Sequence, residues 1–202
     1  MEKSILEIFT LITGIIYIVL EIRQKNAMWV VGMVTSIAAM AVFFREGLYA
    51  SFALNTYYLI TAAIGLVQWS RDKKRLAEEE GQTIHLNILT GRTVIVSAVA
   101  AVIGTIALSW GMELMAEAGF KENPMSVLDA SVAILSAIAT WWLVKAYIQQ
   151  WGLWIAANSM SVILCATQNM WWMTLLYAAY VAAAVIGMKH WKKFGTTIRH
   201  QQ

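Results

Sequence analysis

The sequence predicts an all-α membrane protein of seven transmembrane helices, arranged as two parallel three-helix repeats around one central connecting helix. Three observations carry this expectation. The 202 residues are 59% hydrophobic and only 13% charged, too apolar and too poor in charge for an ordinary water-soluble domain. The apolar residues gather into seven runs able to cross about 30 Å of hydrocarbon. The chain also matches itself, without a gap, when slid by 122 positions.

Residues 5–21, 27–44 and 49–70 form the first three runs. The first begins almost at the N-terminus and leads straight into the second, a pattern unlike a cleavable leader, so it is expected to stay in the protein. The segment RDKKRLAEEEGQTIHLNILTGR over 71–92 then breaks the apolar pattern. Its mixed charges read as a solvated loop. A fourth run covers 92–118, and runs at 127–147, 151–168 and 171–190 complete the set. The resulting organisation is a first repeat over 1–70, a linker over 71–91, a central helix over 92–118, a second repeat over 127–193 and a tail over 194–202.

Seven spans put the two termini on opposite faces, so Lys and Arg can be counted by side. One side carries Lys3, Arg45 and Lys121, and the other carries the remaining twelve of the fifteen. The positive-inside bias therefore places the N-terminus outside and makes the linker and the C-terminal tail cytoplasmic. The basic residues behind the formal charge of +3 sit in short runs between spans rather than on one domain surface, which argues against a nucleic-acid partner. A single cysteine, Cys165, lies in an apolar stretch and leaves no disulfide framework, so stability must come from helix packing.

The self-match pairs Leu6 with Leu128, Glu7 with Asp129, Arg23 with Lys145, Trp29 with Trp151 and Leu54 with Leu176, and continues through Tyr58 with Tyr180, Gly65 with Gly187 and Trp69 with Trp191. Eight like-for-like matches spread over three spans, three of them Trp or Tyr pairs, are not explained by shared hydrophobicity. With one span between two three-span repeats, both repeats begin on the same face. They are parallel, a known transporter plan in which the solute site lies at the repeat interface near the bilayer midplane.

In the sixth run, WGLWIAAN sets Trp151, Trp154 and Asn158 at i, i+3 and i+7, within a wedge of about 60°. Two indoles beside an amide could stack a planar heterocycle, attract a delocalised cation and orient a hydroxyl or ring nitrogen. The alternative is that the tryptophans form an interfacial belt and Asn158 bonds between helices. The matched residues of the first repeat are Trp29, Gly32 and Ser36. Symmetry breaks there, as an asymmetric solute or close helix packing at Gly32 would require. Thr35 and Ser36 on the second run, and Asn55, Tyr58 and Gln68 on the third, add polar groups in apolar surroundings. Glu7, Asp129 and Glu113 lie near the outer ends of their spans and form an acidic vestibule that concentrates cations; Glu7 and Asp129 could equally serve helix N-termini. Gly14, Gly32, Gly65 and Gly187 are hinge candidates. His85, His190 and His200 have no ligand spacing to Cys165 or a carboxylate cluster, and no Walker loop, GxSxG or HExxH occurs. Neither a metal, a cofactor nor an enzymatic reaction is expected.

LEIFTLITG, GLYASFALNTYYL, the WxxWxxxN run at 151–158 and the paired span ends QW at 68–69 and HW at 190–191 resemble the PnuC family of bacterial vitamin transporters over nearly the whole chain. The resemblance implies a three-plus-one-plus-three fold similar to a full-length SWEET sugar transporter, a place in the bacterial cytoplasmic membrane, and a homo-oligomer, a trimer. It implies facilitated diffusion of nicotinamide riboside with trapping by phosphorylation inside the cell, or of thiamine in relatives, and assigns Trp151, Trp154 and Asn158 to the vitamin. Asn55 stands where the nicotinamide riboside pattern usually has Gln, and Thr35 where Asn can occur. Both vitamins are cationic heteroaromatics and suit the indole face. A membrane scaffold or sensor, with tryptophans serving only packing, is the reading from another class.

Overall fold

In the computed structural model, which describes residues 13–45, 49–77, 84–119, 125–167, 169 and 171–197, the described part of every apolar run is helical apart from up to three residues at the C-terminal ends of the fourth and fifth. Seven helices occur among those residues: α1 (Thr13–Ile22), then α2 (Ala27–Arg45), α3 (Tyr49–Ala77), α4 (Gly91–Glu117), α5 (Ser126–Val144), α6 (Gln150–Thr167) and α7 (Trp171–Phe194). Gly91–Glu117, Ser126–Val144 and Met173–Phe194 are each long and apolar enough to cross a membrane unaided. Thr90 caps α4, its hydroxyl accepting from the Thr93 amide at 3.3 Å, which satisfies one of the amides a helix start leaves open.

The linker departs from the loop expected of it. α3 runs on past its apolar stretch to Ala77, because Arg, Lys, Leu and Ala all favour helix. Farther on, strand β1 (Ile84–Leu86) pairs in parallel with β2 (Gly195–Thr197), Ile84 opposite Gly195 and Leu86 opposite Thr197. His85 and Leu86 are buried, not solvated. The all-α expectation thus gains one minimal sheet, which joins the linker to the tail.

Two compact units make up the chain. The first comprises Met1–Asn87, Leu143–Ala146 and His190–Gln202, and the second Ile88–Trp142 and Tyr147–Lys189. In the first, Trp29 of α2 lies over Gly65 of α3; a Cβ at Gly65 would come within 2.5 Å of the indole Cζ2. In the second, Trp151 of α6 lies over Gly187 of α7, where a Cβ would come within 2.5 Å of the indole Cη2. The partners in these two seams are matched pairs of the repeat. Gly65 and Gly187 therefore serve as notches for indole rings, and the hinge reading at these positions gives way to close packing. A third seam joins α4 to α5, where Ile134 covers Gly104 and the Trp142 Nε1 donates to Ser97 Oγ at 3.1 Å.

α1 and α5 end alike. Gln24 and Ala146 take positive φ values of 47° and 53°, the left-handed turn that closes a helix. Their amides bond to Glu21 O and Leu143 O, each at 2.9 Å. The next amides, of Lys25 and Tyr147, reach back to Leu20 O and Trp142 O at 2.8 and 3.0 Å. Glycine is the usual residue at such a position, since the left-handed turn costs other residues about 1–2 kcal/mol. Neither repeat uses it.

Adding a methyl group at Gly65 or Gly187 forces the covering indole to move, at a cost of about 1–3 kcal/mol. Gly65→Ala and Gly187→Ala should each lower the melting temperature of the detergent-solubilised protein. Gly152→Ala, with nothing within 4 Å of the new Cβ, should leave it unchanged or slightly raised; an equal loss in all three would count against the notch.

Candidate functional site

On α6, Trp151, Trp154 and Asn158 occupy one flank of the helix, and their surroundings differ. Trp151 is 1% exposed, its benzo ring seated in the Gly187 notch. Trp154 is only half-buried, and its Nε1 has no hydrogen-bond partner among the described residues. Asn158 is buried one turn farther on, with Ser161 below it bonded to Ala157 O at 3.0 Å. Trp154 thus keeps accessible ring surface while its Nε1 is buried without a partner among the described residues, and Trp151 is committed to the Gly187 seam.

The broken symmetry at Gly32 has a physical counterpart. In the first unit, a Cβ at Gly32 would meet the Tyr17 ring at 3.4 Å. The matched pair in the second repeat is Ala139 with Trp154. The two repeats exchange volumes: bulk sits on α1 in one and on α6 in the other. A methyl group at Gly32 would meet Tyr17 in ordinary contact, while the Tyr17 ring takes the space a larger side chain would need there, so the large aromatic group moves from one helix to its neighbour.

Among the first-repeat residues, Thr35 directs its hydroxyl to Val31 O at 2.9 Å, so its proton is committed to its own helix. Ser36 is buried, Asn55 and Tyr58 are half-buried, and Tyr58 lies 5.8 Å from Tyr57 between ring centroids. Gln68 is engaged elsewhere, accepting from Lys145 Nζ at 3.2 Å. Of the acidic group, Asp129 stands in the first turn of α5 and Glu113 is exposed on α4; Glu7 lies outside the described residues.

A second constellation, missed from sequence, lies in the first unit around His85. The Gln24 amide makes two bonds to the backbone of His85, donating to its oxygen and accepting from its nitrogen, both at 2.8 Å. Two residues on, the Asn87 backbone amide donates to Ala146 O at 3.2 Å and its side chain to Lys145 O at 2.8 Å. The short segment 85–87 thereby binds the ends of both α1 and α5. The His85 ring is fully buried, 5.6 Å from Trp69 in an edge-to-face arrangement, with Nε2 3.4 Å from Asp72 Oδ2. Lys73 donates to Gln24 O; burial pushes its ammonium below the ordinary lysine range, and Lys25 adds to that shift. The only sequence signal was the alternation of Ile84, Leu86 and Ile88 with His85 and Asn87, a strand period inside a charged linker.

The QW and HW span ends complete this network. Trp69 Nε1 donates to Val144 O at 3.2 Å, and Trp191 Nε1 donates to Ile22 O at 3.0 Å. Both donors and both acceptors are matched pairs of the repeat, with each indole of one repeat bonded to the helix end of the other.

The sequence pattern of the nicotinamide mononucleotide transporter family matches residues 4–193. The chain belongs to this family. It is 23% identical to the nicotinamide riboside transporter PnuC of Neisseria mucosa over 192 residues, which cover 90% of this chain and 70% of that protein. To the nicotinamide riboside transporter PnuC of Escherichia coli it is likewise 23% identical, over 94% of this chain and 86% of that one. The crystal structure of the vitamin B3 transporter PnuC aligns with a TM-score of 0.62 at 21% identity, covering 92% of this chain and 79% of that one, so the two share a fold. The family resemblance read from the motifs is thus confirmed. The family is one of multi-pass inner-membrane transporters rather than enzymes.

Removing the Gln24 amide strands a buried amide and carbonyl of His85, each costing about 1–3 kcal/mol. Gln24→Ala should lower the melting temperature and speed hydrogen exchange at residues 84–87. Protection there equal to that of the parent protein would show that the segment is held by its strand pairing alone.

Proposed function

We propose that the protein is a passive uniporter for nicotinamide riboside, which diffuses inward and is trapped by phosphorylation. The observation that carries this reading is membership of the family, together with the name shared by relatives that align over nine-tenths of the chain. In its support, the pyridinium ring of nicotinamide riboside is a planar cation that an indole attracts through its face. Its ribose offers hydroxyls to an amide. Trp154 supplies the half-buried indole and Asn158 the amide, while Trp151 is held in the Gly187 notch. Ser36, Asn55 and Tyr58 are the polar groups proposed for the first repeat. Thr35 has the weakest claim, since its proton is bonded within α2.

The reading includes seven membrane crossings in a three-plus-one-plus-three arrangement like that of a full-length SWEET, and a trimeric assembly. The matched helix ends, the two Trp–Gly seams and the exchanged indole bonds support duplication of a three-helix unit. The Lys and Arg asymmetry supports an outside N-terminus and an inside C-terminus, which would set Asp129, Glu113 and Glu7 at an outer mouth that gathers cations.

Binding isotherms on the purified protein test the substrate. Nicotinamide riboside should bind, and Trp154→Ala should weaken it by about 1–3 kcal/mol. Tight thiamine binding with none for nicotinamide riboside would reassign the substrate, the alternative left open by the departures from the nicotinamide riboside pattern at Asn55 and Thr35. Uptake unaffected by Trp154→Ala would favour a role for this indole in packing alone. Uptake abolished by collapse of the proton gradient, where trapping still works, would rule out the passive mechanism.

A further inference from the structure

We propose that a cleft along α3 in the first unit holds an anionic phospholipid, with its acyl chain against Ile64 and Val67 and its phosphate between Arg71 and Lys145. The cleft has a volume of about 670 Å³ and is lined by these four residues together with Gln68 and Asp72, among others. Positions 64, 67, 68 and 71 follow the i, i+3, i+4, i+7 spacing of one helix face. That face changes character along its length. Ile64 and Val67 are 40% and 50% exposed, as suits side chains that meet hydrocarbon in a membrane protein. From Gln68 onward the lining is polar. Ile64 and Arg71 are about 10 Å apart along the axis at 1.5 Å per residue, so the change from apolar to basic falls within the depth over which a lipid passes from chain to headgroup.

The charges fit a phosphodiester. Arg71 is exposed and presents a planar fork suited to two phosphate oxygens. Lys145 is held beside it by Gln68 Oε1 at 3.2 Å, and its backbone oxygen is fixed by Asn87 at 2.8 Å. The one acid in the lining, Asp72, is turned to the buried His85 ring at 3.4 Å. Basic pockets bordered by membrane-facing apolar residues are a known means of holding acidic lipid headgroups. A soluble phosphate would gain nothing from the Ile64 and Val67 wall, and a zwitterionic lipid would bring its own cation toward Arg71. The inference depends on the membrane setting and not on which solute is carried.

The full chain is reconstituted in nanodiscs of equal phosphatidylglycerol and phosphatidylcholine, released gently, and its retained lipids are counted by native mass spectrometry. Phosphatidylglycerol should be retained over phosphatidylcholine, and Arg71→Gln should reduce that retention several-fold. Val67→Trp, which fills the apolar half of the cleft and removes no charge, should also reduce it. Lys74→Gln, an exposed basic residue outside the cleft lining, should leave it unchanged, and millimolar glycerol 3-phosphate should not displace the lipid. Equal retention of the two lipids, full retention by Val67→Trp, equal losses in Arg71→Gln and Lys74→Gln, or displacement by glycerol 3-phosphate would each overturn the proposal.

Discussion

The carbonyls at a helix C-terminus have no partner within their own helix, and where the end is buried, as at Gln24, Val144 and Ala146, water supplies none. That constraint organises the first unit. The end of α1 is closed by its left-handed turn at Gln24, by the Trp191 indole and by Lys73, and the end of α5 by its turn at Ala146, by the Trp69 indole and by Asn87. Trp69 and Trp191 can reach these carbonyls because both rings are buried in one aromatic cluster, their centroids 6.1 Å apart. The Trp29 ring completes it, 5.1 Å from Trp69 and fixed over Gly65. The indoles of Trp69 and Trp191 therefore both pack helices and satisfy helix ends, and substitution at either disturbs both, while Trp29 braces their ring cluster.

The segment carrying His85 depends on that cluster in turn. A polar chain can lie buried only where its backbone groups are bonded, and here Gln24, the β2 strand and the Ala146 turn provide the bonds. Gln24 accepts the cost of a left-handed backbone, and its side chain then serves as a surrogate strand for His85. A glycine would relax the turn and lose that bond pair. Ala146, with no side-chain amide, leaves the corresponding task to Asn87 from the linker. The two repeats share a backbone solution and differ in the side chains that complete it.

The same division appears at the candidate site. The Trp–Gly seams are alike in both repeats, and the exchange of Tyr17 and Gly32 for Ala139 and Trp154 redistributes a large ring without changing the seam. A duplicated scaffold can in this way present one half-buried indole to an asymmetric solute. In the proposed uniporter the repeated contacts give rigidity and the exchanged volume gives recognition, and the two tryptophans of WGLW fall on opposite sides of that line.

Hydropathy, charge asymmetry and the self-match at 122 positions were legible without coordinates, because apolar span length, the positive-inside bias and duplication all leave one-dimensional marks. The family motifs were legible for the same reason. The one-dimensional pattern did not separate Trp151 from Trp154, since both lie on one helical face; only the Gly187 notch in a neighbouring helix distinguishes the buried ring from the accessible one. Nor did it reveal the bonds of His85, whose partners are 61 residues away in sequence at Gln24. Contacts of that range are decided by which helix ends the tertiary fold brings together, and a charged linker reads as solvated until the carbonyls that need it are in place.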